Sequence, residues 1–267
     1  MRIIFFILFS LPLYAYELSV CTIFQNDAKY LPEWIEFHQR QGVEHFYLYN
    51  NFSQDNYEEV LAPYIKSGLV ELKDWPYDYK NVYEWNFVQC SSFLDCANRS
   101  NDKWIAFIDT DEFLFNPKKI DLRKLLKQYD KYSGVAVYWV MYGTSNTIVD
   151  ENELIVDHLV LRSELSNPHN KQVKLILKPK DIESFVHPHQ PILKPNKVLV
   201  GEDKKPFKNQ HHMCGVFRIN HYWSRDLDYF YNVKLPRRER WYNDRDNQIE
   251  WEKSFNIIYD PILSSFH

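Results

Sequence analysis

The sequence predicts an α/β fold on a Rossmann-like, mostly parallel sheet with flanking helices and a smaller antiparallel C-terminal part. Three observations lead there. Short apolar runs alternate with amphipathic helical stretches through the first half of the chain, and strands joined by helical crossovers pair in parallel. One run, WIAFI at 104–108, is rich in β-branched and aromatic residues and too short for a helix, so it reads as a strand covered on both faces. After Met141 the apolar runs shorten and prolines cluster, which suits antiparallel strands and loops.

The elements follow in order. Residues 1–16 open with Arg2, an apolar stretch and small or helix-breaking residues ahead of Ala15. That is the layout of a secretory signal peptide, or of a signal anchor if part is retained, so the expectation is a secretory or membrane-associated protein. Leu18 to Phe24 is the first strand. Pro32 suits a first helical turn, Leu31, Trp34, Ile35 and His38 share a face, and Gly42 supplies a stop. Glu44 to Tyr49 is the second strand. Asp55 and Glu58 have capping-box spacing ahead of a helix that ends at Gly68. Leu69 to Trp75 is the third strand. From Tyr83 onward, Phe87, Cys90, Leu94 and Ala97 recur at helical spacing and lead into the 104–108 strand. Val135 to Met141 is a further strand. Two helical patterns close the chain, from about Arg225 to Val233 and from about Arg238 to Phe255.

Composition narrows the function. The 267 residues are 45% hydrophobic, enough for a proper core, and the net charge of −4 argues against a nucleic-acid partner. With only 6 glycines there is no glycine-rich phosphate loop, which disfavours Walker-type and dinucleotide-binding proteins. Cys21, Cys90, Cys96 and Cys214 form no C-x-x-C pair, so zinc ribbons and thioredoxin chemistry are unsupported. Two histidine-bearing stretches, HPHQP with His187 and His189 and HHMCG with His211 and His212, lie in the irregular region.

The acids carry the chemistry. Asp109, Asp111 and Glu112 fall at the C-terminal end of a buried strand, the edge at which open α/β sheets bind ligands. Aspartates one residue apart both offer oxygen to Mg²⁺ or Mn²⁺ and leave positions open for water and substrate phosphates. A plain polar turn is the competing reading, but such a turn favours Gly, Asn or Pro over a third acid. Asn26 and Asp27 follow the first strand and Asn50 and Asn51 the second, so both pairs are expected at the same edge. They suit either turn chemistry or hydrogen bonds to a nucleobase and ribose. His221 alone reads as a hydrogen-bonded core residue.

Three stretches, QNDAKYLPEWIEFHQRQGVEHFYLYNNFSQD, KWIAFIDTDEF and NHYWSR, occur in that order. Together they resemble glycosyltransferase family 92 and its bacterial relatives among the family-2-like transferases. The resemblance implies a GT-A fold in a single domain, 17–267, with a nucleotide-sugar half at about 17–141 and an acceptor half at about 142–267. It implies transfer of a hexose, galactose foremost, from a nucleotide-diphosphate sugar such as a UDP-hexose to a glycan or glycoconjugate hydroxyl, with inversion. Asp109 and Asp111 match the D-x-D pair that holds Mn²⁺ or Mg²⁺ against the donor diphosphate. His221 matches a histidine that completes the metal shell. Lys174 matches a strand lysine that meets phosphate, joining Asn26, Asp27, Asn50, Asn51 and Asp109 as donor-binding candidates. The family shows lysine and glutamate beside the asparagine where this chain has Gln25 and Asp27.

An inverting transfer needs a base. Glu112 and Asp244 are named as candidates, beside Glu164, Asp181 and Asp246, and no spacing selects among them. The cluster PRRER, Arg237 to Arg240, reads as a solvated helix start in preference to a diphosphate contact. Two other classes compete: a metal-dependent phosphoester hydrolase, which expects a second ligand set early in the chain, and a non-catalytic carbohydrate-binding protein. The latter has no use for three acids at a buried strand edge.

Overall fold

The computed structural model describes residues 15–208 and 214–266. Most of the leader, together with His211 and His212, therefore lies outside the described residues. The first half alternates as predicted: β1 (Ser19–Phe24), α1 (Leu31–Arg40), β2 (His45–Asn50), α2 (Tyr57–Lys66), β3 (Val70–Asp74), α3 (Val82–Arg99) and β4 (Ile105–Phe107). β1 pairs in parallel with β2 on one side and β4 on the other, and β2 pairs in parallel with β3.

The second half enters the same sheet. It supplies β5 (Glu112–Phe115), α4 (Leu122–Leu126), β6 (Gly134–Met141), α5 (Ile155–His158), β7 (Leu161–Arg162) and β8 (Val173–Leu177). Then come β9 (Ile182–His187), β10 (Gln190–Leu193), β11 (Leu199–Val200), β12 (Arg218–His221), α6 (Leu227–Tyr229), α7 (Leu235–Tyr242), α8 (Arg245–Ser254) and β13 (Ile258–Tyr259). The strand order is β3-β2-β1-β4-β8-β6-β12-β5, with β11 beside β6. β8 runs antiparallel between β4 and β6, β12 is parallel to β6, and β5 is antiparallel to β12. The sheet is thus mostly parallel with two reversed strands, and it draws on both predicted halves of the chain. Two small antiparallel pairs, β9 with β10 and β7 with β13, complete the C-terminal part.

Local chemistry explains most of these boundaries. α1 buries the predicted face, Leu31, Trp34, Ile35 and His38, and Gly42 follows it at φ +100°, a conformation other residues rarely adopt. The run WIAFIDTDEFLF holds two strands where one was expected. β4 ends before the acids, and β5 begins at Glu112, which is paired with His221 of β12.

Three local expectations fail. Asp55 does not cap α2: its carboxylate accepts the Ala28 N–H at 2.8 Å, and Asn56 takes the cap position without a side-chain hydrogen bond. Phe87 is 75% exposed, because the buried face of α3 is set by Val88, Cys90, Phe93, Cys96 and Ala97. The β9 residue Phe185 packs on Phe93 and Phe107, but this cover leaves Phe87 outside. The last helical pattern is broken at Asn243, whose left-handed φ of +47° ends α7 before α8 starts. All four cysteines are free thiols. Among the described residues no helix is long and apolar enough to cross a membrane.

His38 ties α1 to the strand behind the acids. Its Nδ1–H donates to the Trp34 carbonyl at 2.7 Å, and its Nε2 accepts the Leu114 N–H of β5 at 3.0 Å. Burial lowers its pKa to about 3, so the folded state keeps the ring neutral while the unfolded chain protonates it below about 6.5. The stability this confers is fully present above 6.5 and is lost as pH falls toward 3, at up to about 1.4 kcal/mol per pH unit. His38→Leu, which strands the Leu114 N–H, is expected to cost about 1–3 kcal/mol at pH 7.5 and to show a shallower loss of stability down to pH 4.5. Urea unfolding of both proteins across that range checks this; parallel pH dependences would contradict it.

Candidate active site

At the C-terminal edge of β1 and β4 lies a cavity of about 350 Å³. Its floor is the turn after β4, with Asp109, Thr110 and Asp111. The first turns of α3 and the loop after β1 form one wall, while β6, β8 and the turn between β9 and β10 form another. β12, α7 and the helical stretch just before α7 close the remaining side through His221, Arg237, Arg238 and Lys234.

Each acid on the floor has a partner from elsewhere in the chain. Asp109 accepts from Gln89 of α3 at 2.6 Å and from the Lys174 ammonium of β8 at 2.7 Å. Lys174 is buried in mid-sheet, so it is neither solvated nor at a sheet edge. Asp111 lies 3.3 Å from Lys234 Nζ and 3.4 Å from His221 Nε2. Burial pushes its pKa up, but Lys234, His221 and Arg225 together outweigh this and hold it well below the carboxylate range. Asp27 sits 2.7 Å from Arg225 and accepts from the Thr110 hydroxyl at 2.7 Å. Arg225 is in turn sandwiched by Tyr30 and Tyr229, with its guanidinium carbon 3.7 and 4.6 Å from the ring centroids.

Glu112 does not reach the cavity. It is fully buried, and its carboxyl accepts the Asp109 N–H at 2.8 Å and lies 3.3 Å from Lys174. Burial, with the charges of Asp109 and Asp111, pushes its pKa well above the usual range despite Lys174. As a base it is misplaced, because a base must touch the hydroxyl it deprotonates. It braces the acid turn. Asp244 is equally remote: it precedes α8 and does not line the cavity. Asp181 is paired with Lys197 at 2.9 Å, and Glu164 and Asp246 are exposed.

The asparagines also stay out of the cavity, their side chains spent on the loops that carry them. Asn26, at φ +55°, accepts the Gln54 N–H at 2.7 Å. Asn50 donates to Tyr57 and Asp74 and accepts the Ser53 N–H, and Asn51 donates to the carbonyls of Trp75 and Tyr77. Of the residues expected at this edge, Asp27, Asp109, Asp111, Lys174 and His221 converge, and Asn26, Asn50 and Asn51 do not.

A hard divalent cation fits one corner. One ligand atom each from Asp111, Glu112 and His221 lies within 4.8 Å of the others. Asp109, held by Lys174 and Gln89, is not in this group. His221 Nδ1 and Glu112 Oε1 face each other at 3.7 Å, and both are buried without a hydrogen-bond partner. Burial lowers the His221 pKa against the pull of Asp111, so the ring is neutral, the form that binds metals. A metal-bound histidine commonly turns its other nitrogen toward a carboxyl group, as Nδ1 does here.

The PRRER cluster is not simply solvated. Arg237 and Arg238 line the cavity, and Arg237 Nε is buried without a hydrogen-bond partner. Lys174, Arg225, Lys234, Arg237 and Arg238 face three carboxylates, Asp27, Asp109 and Asp111, which leaves a surplus of positive charge in a chain that is acidic overall. Lys234, Arg225 and Arg237 were not selected by sequence reasoning. For Lys234 and Arg237 the one local signal is the basic run KLPRRER, which only the tertiary fold turns inward, and Arg225 closes the NHYWSR stretch.

The family model for glycosyltransferase family 92 matches residues 14–256. A glycosyltransferase family 92 protein of Ricinus communis is 26% identical over 254 residues, covering 91% of this chain and 40% of that protein. A β-1,4-galactosyltransferase of Caenorhabditis elegans is 31% identical over 108 residues, covering 38% of this chain and 25% of that protein. The chain therefore spans less than half the length of either relative. Among solved structures, Staphylococcus aureus TarS 1-349 is similar at a TM-score of 0.42 and 10% identity, covering 89% of this chain and 70% of that one. The family match runs through the whole sheet and every wall of the cavity, and the chain belongs to glycosyltransferase family 92.

Proposed function

We propose that the chain is a metal-dependent transferase that moves a hexose, galactose foremost, from a UDP-sugar to a glycan hydroxyl with inversion. One observation carries the reading: a cavity at the C-terminal strand edge combines a neutral-histidine and carboxylate corner, Asp111 with His221, with an arc of cations facing it. That is a receptacle for a diphosphate and a divalent metal. Galactose is favoured because the nematode relative is a β-1,4-galactosyltransferase. Among the described residues the potential ligands gather in one cluster, an arrangement for one metal rather than the pair a phosphoester hydrolase of the two-metal type uses.

The roles follow from position. Gln25 and Tyr79, hydrogen-bonded to each other at 3.1 Å beyond β1, form the end of the cavity suited to the nucleoside. Lys174, Arg237 and Arg238 hold the diphosphate, the arginines by the paired N–H geometry that suits phosphate. Asp111 and His221 hold the metal, with Glu112 orienting the imidazole from behind. When bound, Mn²⁺ or Mg²⁺ offsets the charge that develops on the departing diphosphate. The indole rings of Trp139, Trp223 and Trp251 line the acceptor side and offer faces for a pyranose.

The direct test is consumption of UDP-hexoses with a panel of nitrophenyl glycosides as acceptors; turnover of none of them would count against the reading. Two binding predictions accompany it. UDP with Mn²⁺ raises the thermal midpoint, by the equivalent of about 2.7 kcal/mol at a hundredfold excess over Kd. Asp111→Asn stays folded and loses the Mn²⁺-dependent part, whereas an undiminished response removes Asp111 from the metal site. Arg237→Ala weakens UDP by roughly tenfold, the value of one charge-assisted contact, and leaves uridine unchanged. Calorimetric titration with both ligands checks this, and equal losses for the two would move Arg237 away from the phosphates.

A further inference from the structure

The transfer needs a group to take the acceptor proton, and the residues assigned so far do not supply it. The three carboxylates lining the cavity are all engaged: Asp27 with Arg225, Asp109 with Lys174, Asp111 with Lys234 and His221. Glu112 lies behind the floor. That leaves the histidines on the wall, His169 and His189.

They are held differently. The His169 ring packs against Trp251 and Phe255, with centroids 4.6 and 5.4 Å away, and no hydrogen bond among the described residues fixes its tautomer. His189, at the turn between β9 and β10, is fixed. Its Nδ1 lies 2.7 Å from the Val173 carbonyl, and a carbonyl only accepts, so Nδ1 carries the proton and Nε2 keeps its lone pair. Nε2 has no partner among the described residues. Val173 directly precedes Lys174, so the hydrogen bond anchors the ring to the strand whose lysine meets Asp109. The ring stands edge-on to Trp139, at 5.2 Å, and Trp139 in turn packs on His221 at 4.5 Å. Asn86 of α3 reaches His187 at 3.0 Å and pins the hairpin beside the cavity. A fixed tautomer, a free nitrogen and a place on the cavity wall beside the Trp139 indole, which separates it from the metal corner, are what a general base requires here.

We propose that His189 is the general base of the transfer, an inference that rests on the transferase reading above. As the acceptor oxygen bonds to the anomeric carbon, its proton passes to Nε2. The bond from that carbon to the diphosphate oxygen breaks, and its electron pair leaves with the nucleotide diphosphate. The imidazolium then returns its proton to solvent. Burial, with the nearby charges of Lys174, His187 and His221, holds the His189 pKa well below the ordinary value, against the pull of the Val173 carbonyl. The ring is therefore unprotonated when the acceptor arrives, and a diphosphate seated on Lys174 offsets the foremost of those charges.

The test uses the full chain with Mn²⁺, a UDP-hexose panel and nitrophenyl glycosides. His189→Gln is expected to lower kcat by 10²- to 10⁴-fold, with KM for the donor and the thermal shift by UDP and Mn²⁺ nearly unchanged. In His189→Ala, added imidazole restores part of the lost rate, a response that a purely structural histidine does not give. His169→Gln keeps kcat within tenfold. The assignment is overturned if His189→Gln keeps kcat within tenfold, or if it loses the UDP and Mn²⁺ response together with activity and imidazole restores nothing. A wild-type protein that turns over none of the donors sinks the transferase reading itself, a result separable from either of these.

Discussion

Two aspartates and a glutamate within four residues, set in a turn against a buried sheet, cannot all ionise there without countercharges. Every cation that stabilises the turn comes from the second half of the chain: Lys174 from β8, Lys234 from the helical stretch before α7, and Arg225 from the loop after β12. The sheet order reflects this. β8 lies between β4 and β6 and runs against both, which sets Lys174 beside the C-terminal end of β4. β12 pairs with β5 in a register that puts His221 opposite Glu112. Removing one partner of a buried pair typically costs about 3–5 kcal/mol, because the other charge is left stranded. The turn and the second half therefore hold each other in place.

The same pairs explain how such a site can take a doubly charged ligand. Lys234 Nζ sits on the Asp111 carboxylate, and burial, opposed by Asp111 and reinforced by Arg237 and Arg238, lowers its pKa to about 8. If Asp111 and His221 took up a divalent cation, the Lys234 ammonium would be free to leave the carboxylate and, with Lys174 and Arg237, to meet an incoming diphosphate. What would change on binding is the distribution of partners among these groups.

Much of this was legible in the sequence, for physical reasons. The α/β alternation in the first half rests on local periodicity, and strands, helices and the Gly42 stop fell where side-chain spacing put them. Asp109 and Asp111 were readable because a buried strand ending in acid is a local pattern. His221 and Lys174 came only through family resemblance, since each is a single residue on an unremarkable strand. The errors have a common source. Whether Asn50 serves a ligand or its own loop, whether Glu112 faces the cavity or the core, and whether Arg237 faces solvent or the cavity all depend on contacts distant in sequence. Phe87 failed likewise, because helical spacing does not reveal where the cover of a helix stops.

The central claim is that a nucleotide diphosphate and one divalent metal share this cavity, with the metal at Asp111 and His221. A crystal structure of the chain with UDP and Mn²⁺, using the anomalous signal of manganese, tests it most directly. One anomalous peak is expected within bonding distance of an Asp111 oxygen and His221 Nε2, about 2.0–2.3 Å by the usual lengths of such bonds, with the diphosphate between it and the Lys174 and Arg237 side chains. A manganese peak elsewhere, or a diphosphate bound outside this cavity, would contradict it.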